Sequence, residues 1–170
     1  MVREASTGTV QNALTVFVRD KYPLDWASVQ NNLGVIYKNL ETNKAKNVEK
    51  AIRLFDDALE VRTHEKYPEL WAETQVNLGN AYGDRIEGDQ NRNEQIAIET
   101  YEKTIEVFKQ LEDPNNWAKV QNNLGGIYLD KVMRGEEEVN AEKAILAFNS
   151  VLKTFDVRTN PVEYINAKIG

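Results

Sequence analysis

The stretch Trp26-Ala27-Ser28-Val29-Gln30-Asn31-Asn32-Leu33-Gly34-Val35-Ile36-Tyr37 decides the fold, because the chain repeats it. Its pattern returns in Trp71-Ala72, Gln75, Asn77-Leu78-Gly79 and Tyr82, and again in Trp117-Ala118, Gln121-Asn122-Asn123-Leu124-Gly125 and Tyr128. On one side, the four prolines, Pro23, Pro68, Pro114 and Pro161, stand 45, 46 and 47 residues apart. Each precedes an aromatic by three residues: Trp26, Trp71, Trp117 and Tyr164. On the other side, Ala51-Ile52 with Phe55 and Ala58 returns as Ala97-Ile98 with Tyr101 and Thr104, then as Ala144-Ile145 with Phe148 and Val151. The N-terminal piece from Ala13 to Tyr22 aligns with Ala58 to Tyr67. The expected units are a partial repeat at 8–22, whole repeats at 23–67, 68–113 and 114–160, and a partial repeat at 161–170.

Each unit reads as two helices. Proline fits the first turn, where its missing N–H costs nothing, and Asp25 or Asn116 can cap the exposed donors nearby. From Trp26 the apolar side runs through positions 26, 30, 33 and 37, one stripe at helical spacing. A second helix is expected after Asn47, Asn93 or Asn140 as N-cap, with Ala51, Phe55, Ala58 and Leu59 as its buried stripe in the first unit. Polar stretches such as Glu41-Thr42-Asn43-Lys44 and Glu87-Gly88-Asp89-Gln90 separate the helices. No alternating strand pattern competes, so the expectation is all-α. Gly34, Gly79 and Gly125 fall inside helices, where glycine is worse than alanine by about 1 kcal/mol. The recurring cost is explained if a neighbouring helix approaches there and Phe55, Tyr101 or Phe148 fills the adjoining space.

Composition narrows the function classes. The 170 residues carry 21 Lys and Arg against 27 Asp and Glu, a net charge of −6. That balance argues against nucleic acid as main partner, since phosphate binding needs a concentrated basic face. With no cysteine and one histidine, His64, there are no disulfides or thiolate sites, and little room for zinc or triad chemistry. The N-terminus lacks an apolar signal segment and no window reaches membrane-span length. A cytoplasmic chain without cofactor or metal is expected.

A helix pair with an internal Leu-Gly, a Tyr three residues on, then Ala, an aromatic four later and a small residue three later resembles the tetratricopeptide (TPR) repeat. The common unit is about 34 residues, so these repeats resemble a long variant, of the kind found in bacterial, especially cyanobacterial, proteins that also carry caspase-like CHAT or nucleotide-switch domains. The resemblance covers Ala13 to the C-terminus. It implies a right-handed α-solenoid of stacked antiparallel helix pairs, the first helix of each pair lining the concave side. It also implies a protein- or peptide-binding scaffold. The open ends at 8–22 and 161–170 suggest a fragment of a longer array, or a chain that stacks end to end with copies of itself.

The sharpest candidate site is an asparagine ladder. Positions 28, 32, 35 and 39 form a stripe opposite the Trp stripe, reading Ser28, Asn32, Val35, Asn39 in the first repeat. The second reads Glu73, Asn77, Asn80, Asp84 and the third Lys119, Asn123, Gly126, Asp130. Asn32, Asn77 and Asn123 alone are constant. A carboxamide offers donor and acceptor together, so one per repeat can grip an extended peptide by its backbone, and some TPR proteins carry such a ladder on the equivalent face. The peptide-binding set is Asn32, Asn77 and Asn123 with Ser28, Asn80, Asp84 and Asp130. The acidic residues favour a neutral to basic peptide. The competing reading bonds each Asn within the stack.

Other features have ordinary readings. A two-carboxylate clamp would need basic residues where Asn31, Val35, Val76, Asn80, Asn122 and Gly126 stand. Gln30, Gln75 and Gln121 read as partners of backbone groups in the stack, and the tryptophans as packing groups. Asp89-Gln90-Asn91-Arg92-Asn93 begins like a calcium loop, but Glu94 and Thr100 occupy the positions that need Gly and Glu. Glu136-Glu137-Glu138 reads as a solvated loop, and His64 as a group favouring a helix C-terminus. Nothing places two carboxylates in one pocket, and no Gly-rich phosphate loop exists, so no enzyme is expected. The favoured function is a non-catalytic peptide-binding scaffold. The alternative is a structural or regulatory module that self-associates or packs against a caspase-like or nucleotide-switch domain.

Overall fold

The structure, a computed structural model, describes residues 19–136 and 138–154. Those residues form six helices and no strand: α1 (Pro23–Lys38), α2 (Lys44–Leu59), α3 (Pro68–Gly83), α4 (Gln90–Gln110), α5 (Pro114–Met133) and α6 (Glu138–Thr154). The chain divides after Thr100, within α4, into two compact units. The expected partial repeats at 8–22 and 161–170 lie almost wholly outside the described residues; Arg19 and Asp20 form a turn.

In the first unit α1 packs on α2, α2 on α3, and α1 also touches α3. This pairwise packing is consistent with a helical repeat, the first helix α3 seating on the second helix α2 before it. Val48, Ala51, Ile52 and Phe55 of α2 close on Leu78 and Ala81 of α3, with Val35, Tyr37, Leu59 and Tyr82 half-buried around them. Fully burying side chains of this size contributes about 1.5–3 kcal/mol each, which outweighs the weak intrinsic preference of helices as short as these. A bidentate clamp adds direction: Arg85, just past α3, donates from Nε to Glu49 Oε1 at 2.6 Å and from Nη2 to Glu49 Oε2 at 3.1 Å. In the second unit α5 packs on α6, where Ala118 and Val151 are sealed by Trp117 and Leu152.

The helix boundaries follow local chemistry. Pro23, Pro68 and Pro114 open α1, α3 and α5, as their fixed φ and absent N–H favour. The cap of α5 is Asp113, whose Oδ1 accepts from the Asn116 backbone N–H at 3.0 Å; Asp25 caps nothing, and α1 starts after Tyr22 without a side-chain cap. Asn47, Asn93 and Asn140 are not N-caps, because α2, α4 and α6 begin two or three residues earlier. Asp89 Oδ1 accepts from Arg92 N at 2.8 Å and starts α4. Asn93 is drawn inside, donating from Nδ2 to the Glu87 carbonyl at 2.9 Å. Past α5, Gly135 takes a left-handed φ of 81° while Glu136 N bonds the Lys131 carbonyl at 3.0 Å, the geometry that ends helices on glycine.

The mid-helix glycines behave as expected where the structure tests them. A Cβ on Gly34 would stand 2.5 Å from Phe55 Cε1, and one on Gly125 2.7 Å from Phe148 Cε1. Two helices of one repeat therefore meet at a point where only hydrogen fits. The tryptophans are half-buried rather than enclosed. Trp71 meets the His64 ring edge-on at 4.9 Å, so His64 packs on an aromatic and not on a helix end.

Candidate functional site

The stripe of candidate binding residues exists because the opposite side of each first helix is buried. In α1, Ala27, Gln30, Asn31, Leu33 and Gly34 are covered, which leaves Asn32 and Asn39 exposed, with Ser28 and Val35 half-buried beside them. In α3, Ala72, Thr74, Leu78, Gly79 and Ala81 are covered, and Asn77 and Asn80 lie half-buried. Since α1 and α3 touch, the first unit brings Ser28, Asn32, Asn77, Asn80 and Asp84 onto neighbouring helices. In the second unit Asn123, half-buried, and Asp130, exposed, stand on α5 two turns apart.

The bonding of these residues is uneven. Asn32 makes no side-chain hydrogen bond to another described residue and is exposed to solvent. Asn77 donates from Nδ2 to Asn31 Oδ1 at 3.0 Å, so the donor half of its carboxamide ties α3 to α1. Ser28 donates to the Leu24 carbonyl at 2.8 Å and accepts from Arg62 Nη2 at 2.9 Å. Asp84 accepts from Lys38 Nζ at 3.1 Å, which offsets its charge.

Beneath the stripe lies a group that the sequence reading passed over. Arg62 is only 4% exposed. Its Nη1 donates to Thr74 Oγ1 at 2.9 Å and its Nη2 to Ser28, while Nε has no partner. Burial lowers the affinity of the guanidinium for its proton and the nearby Glu73 carboxylate opposes this. The signal was present in the repeat: Arg62 holds the place of Phe108, and Thr74 that of Val120, both fully buried apolar residues. Gln30, expected to bond backbone in the stack, is buried with its Oε1 unpartnered.

Two hollows lie among the described residues of the second unit. One of about 430 Å³ is lined by Phe108, Pro114 and Trp117 with Lys109 and the carboxylates Glu112 and Asp113 beside them, Asp113 being committed to the α5 cap. Another of about 400 Å³ holds Leu124, Tyr128 and Leu146, with Lys143 Nζ 5.2 Å from the Tyr128 ring centre. Among the described residues, no cluster of His, Asp and Glu could hold a metal ion, and no helix is long and apolar enough to cross a membrane. The sequence matches no known family model and no curated protein.

Proposed function

We propose that this chain is a non-catalytic peptide-binding scaffold, built as a right-handed solenoid of TPR-like repeats. First helices α1, α3 and α5 line its concave side. Asn32, Asn77 and Asn123 contact the backbone of an extended peptide, with Ser28, Asn80, Asp84 and Asp130 alongside. The observation that carries the reading is Asn32. It recurs in every repeat, yet it is exposed and bonds no described side chain or backbone group, so packing gives no reason for its recurrence at this position. Asn77 supports a modified role: with one of its two N–H donors given to Asn31, its carbonyl is the group proposed to accept a peptide N–H. Because Lys38 meets Asp84 and Arg62 lies near Glu73, the charge of the stripe is largely met within the chain. With the exposed Asp130 of α5 also in the set, the peptide we propose is neutral to basic.

The test is selection of peptides from a displayed random library on the wild-type chain, followed by titration of the selected peptides against the Asn32→Ala, Asn77→Ala, Asn123→Ala protein. Loss of binding by a variant that melts as wild type supports the ladder. Undiminished binding by the folded variant overturns it.

A further inference from the structure

In the first unit, Lys44 and Lys46 at the start of α2, Glu49 and Arg53 further along it, and Ile86 and Glu87 past α3 line an open hollow of about 640 Å³. The charges there do not cancel. Both carboxylate oxygens of Glu49 accept from Arg85, and Glu87 acts on the same arginine. Lys44 donates from Nζ to the Lys38 carbonyl at 3.0 Å and stands 3.5 Å from Glu41 Oε1. Lys46 and Arg53 are exposed and pair with no described residue. Ile86, at the same hollow, is 66% exposed. Repeat packing does not call for this set. Arg92 and Val139 hold the place of Lys46 in α4 and α6, and Glu99 and Leu146 that of Arg53. A position that takes a cation, an anion and an apolar residue in turn is not held by the stack.

We propose that this hollow docks an acidic peptide segment of a partner protein, with carboxylates on both sides of one apolar residue. Lys46 and Arg53 are two turns apart on one side of α2, about 10 Å along its axis. An extended chain advances about 3.3 Å per residue, so carboxylates three residues apart reach both cations. The apolar residue between them covers Ile86, and the Arg53 fork suits a carboxylate. A compact phosphate would meet one cation at a time and leave Ile86 in water. None of the lining residues belongs to the asparagine ladder, and the ladder's peptide has the opposite charge preference, so the two sites succeed or fail separately.

The experiment titrates the full chain with a short fluorescein-labelled peptide of Asp and Glu flanking one Leu, read by anisotropy. Saturable binding is expected, weakened about tenfold or more by Lys46→Glu with Arg53→Glu. Ile86→Ser, or Ser for Leu in the peptide, should weaken it several-fold. Lys103→Glu with Lys153→Glu changes the net charge equally on the second unit and should leave binding unchanged. All substituted positions are exposed, so wild-type melting curves are expected, and Lys46→Gln with Arg53→Gln repeats the test without introduced repulsion. Absent binding, or equal weakening by the two Lys and Arg reversals, overturns the proposal. So does displacement of the probe by inorganic tripolyphosphate as readily as by unlabelled peptide, which would make phosphate the ligand. A dimer of the chain alone that Lys46→Glu with Arg53→Glu dissolves in sedimentation also overturns it, making a second copy the occupant.

Discussion

Arg62 donates to Thr74 Oγ1 at 2.9 Å, a buried bond from the end of one repeat to the first helix of the next. One repeat later Phe108 and Val120 stand in the same two places. Polar meets polar in the first pair and both members are apolar in the second, so the two positions vary together. A repeat protein whose interfaces were interchangeable could stack in several registers. Matched pairs of this kind penalise the wrong one, because a buried guanidinium opposite valine would lose a partner.

Thr74→Val tests the first pair. It strands an Arg62 N–H in the interior and should destabilise the chain by about 1–3 kcal/mol. Adding Arg62→Phe should recover much of the loss by reproducing the Phe108 and Val120 combination. Urea unfolding of the single and double variants measures the coupling, and strictly additive losses would count against it.

Gly125 and Gly126 are adjacent in α5 and should respond to alanine with opposite signs. A Cβ at Gly125 meets the Phe148 ring at 2.7 Å, while one at Gly126 meets nothing within 4 Å. Gly125→Ala should cost about 1–3 kcal/mol through overpacking. Gly126→Ala should gain up to about 1 kcal/mol from helix propensity. Thermal melts of the two variants decide it.

Asn77→Ala and Asn32→Ala should separate stability from recognition. Asn77 loses its bond to Asn31, which should lower stability by about 0.5–1.5 kcal/mol. Asn32 is exposed, and its replacement should stay within about 0.5 kcal/mol of wild type. Reduced peptide binding by Asn32→Ala at unchanged stability is the result expected of a contact residue.

The carboxyl of Asp57 is pushed above the usual carboxylate range by partial burial and then by Glu60, with Arg19 opposing. The folded chain therefore binds this proton more tightly than the unfolded chain. Ionisation of Asp57 costs stability as pH rises through the folded value, and the cost disappears below the ordinary carboxylate range, where both states are protonated. Asp57→Asn should raise the urea midpoint near about pH 7 and give no gain near about pH 3. A gain of equal size at both values would locate the effect elsewhere.

The helical pairing and the place of each first helix were legible in the sequence, because proline spacing and the Trp, Leu-Gly and Tyr register are properties of a linear pattern. The tight approach at Gly34 and Gly125 was legible for the same reason: a cost repeated at fixed spacing signals a repeated contact. The second-helix starts were misplaced because capping is settled by competition among nearby side chains, and Asn93 found buried backbone partners where Asp89 took the cap. Arg62 was hidden because its hydrogen-bond partners, Thr74 and Ser28, are brought to it only by folding. The same holds for the ladder. Recurrence marked Asn32 and Asn77 as equals, but packing of α3 against α1 placed Asn31 within reach of Asn77 and left Asn32 in solvent. Periodicity determines which residues share a helix face; only the approach of one helix to another decides which of them still have a hydrogen bond to give.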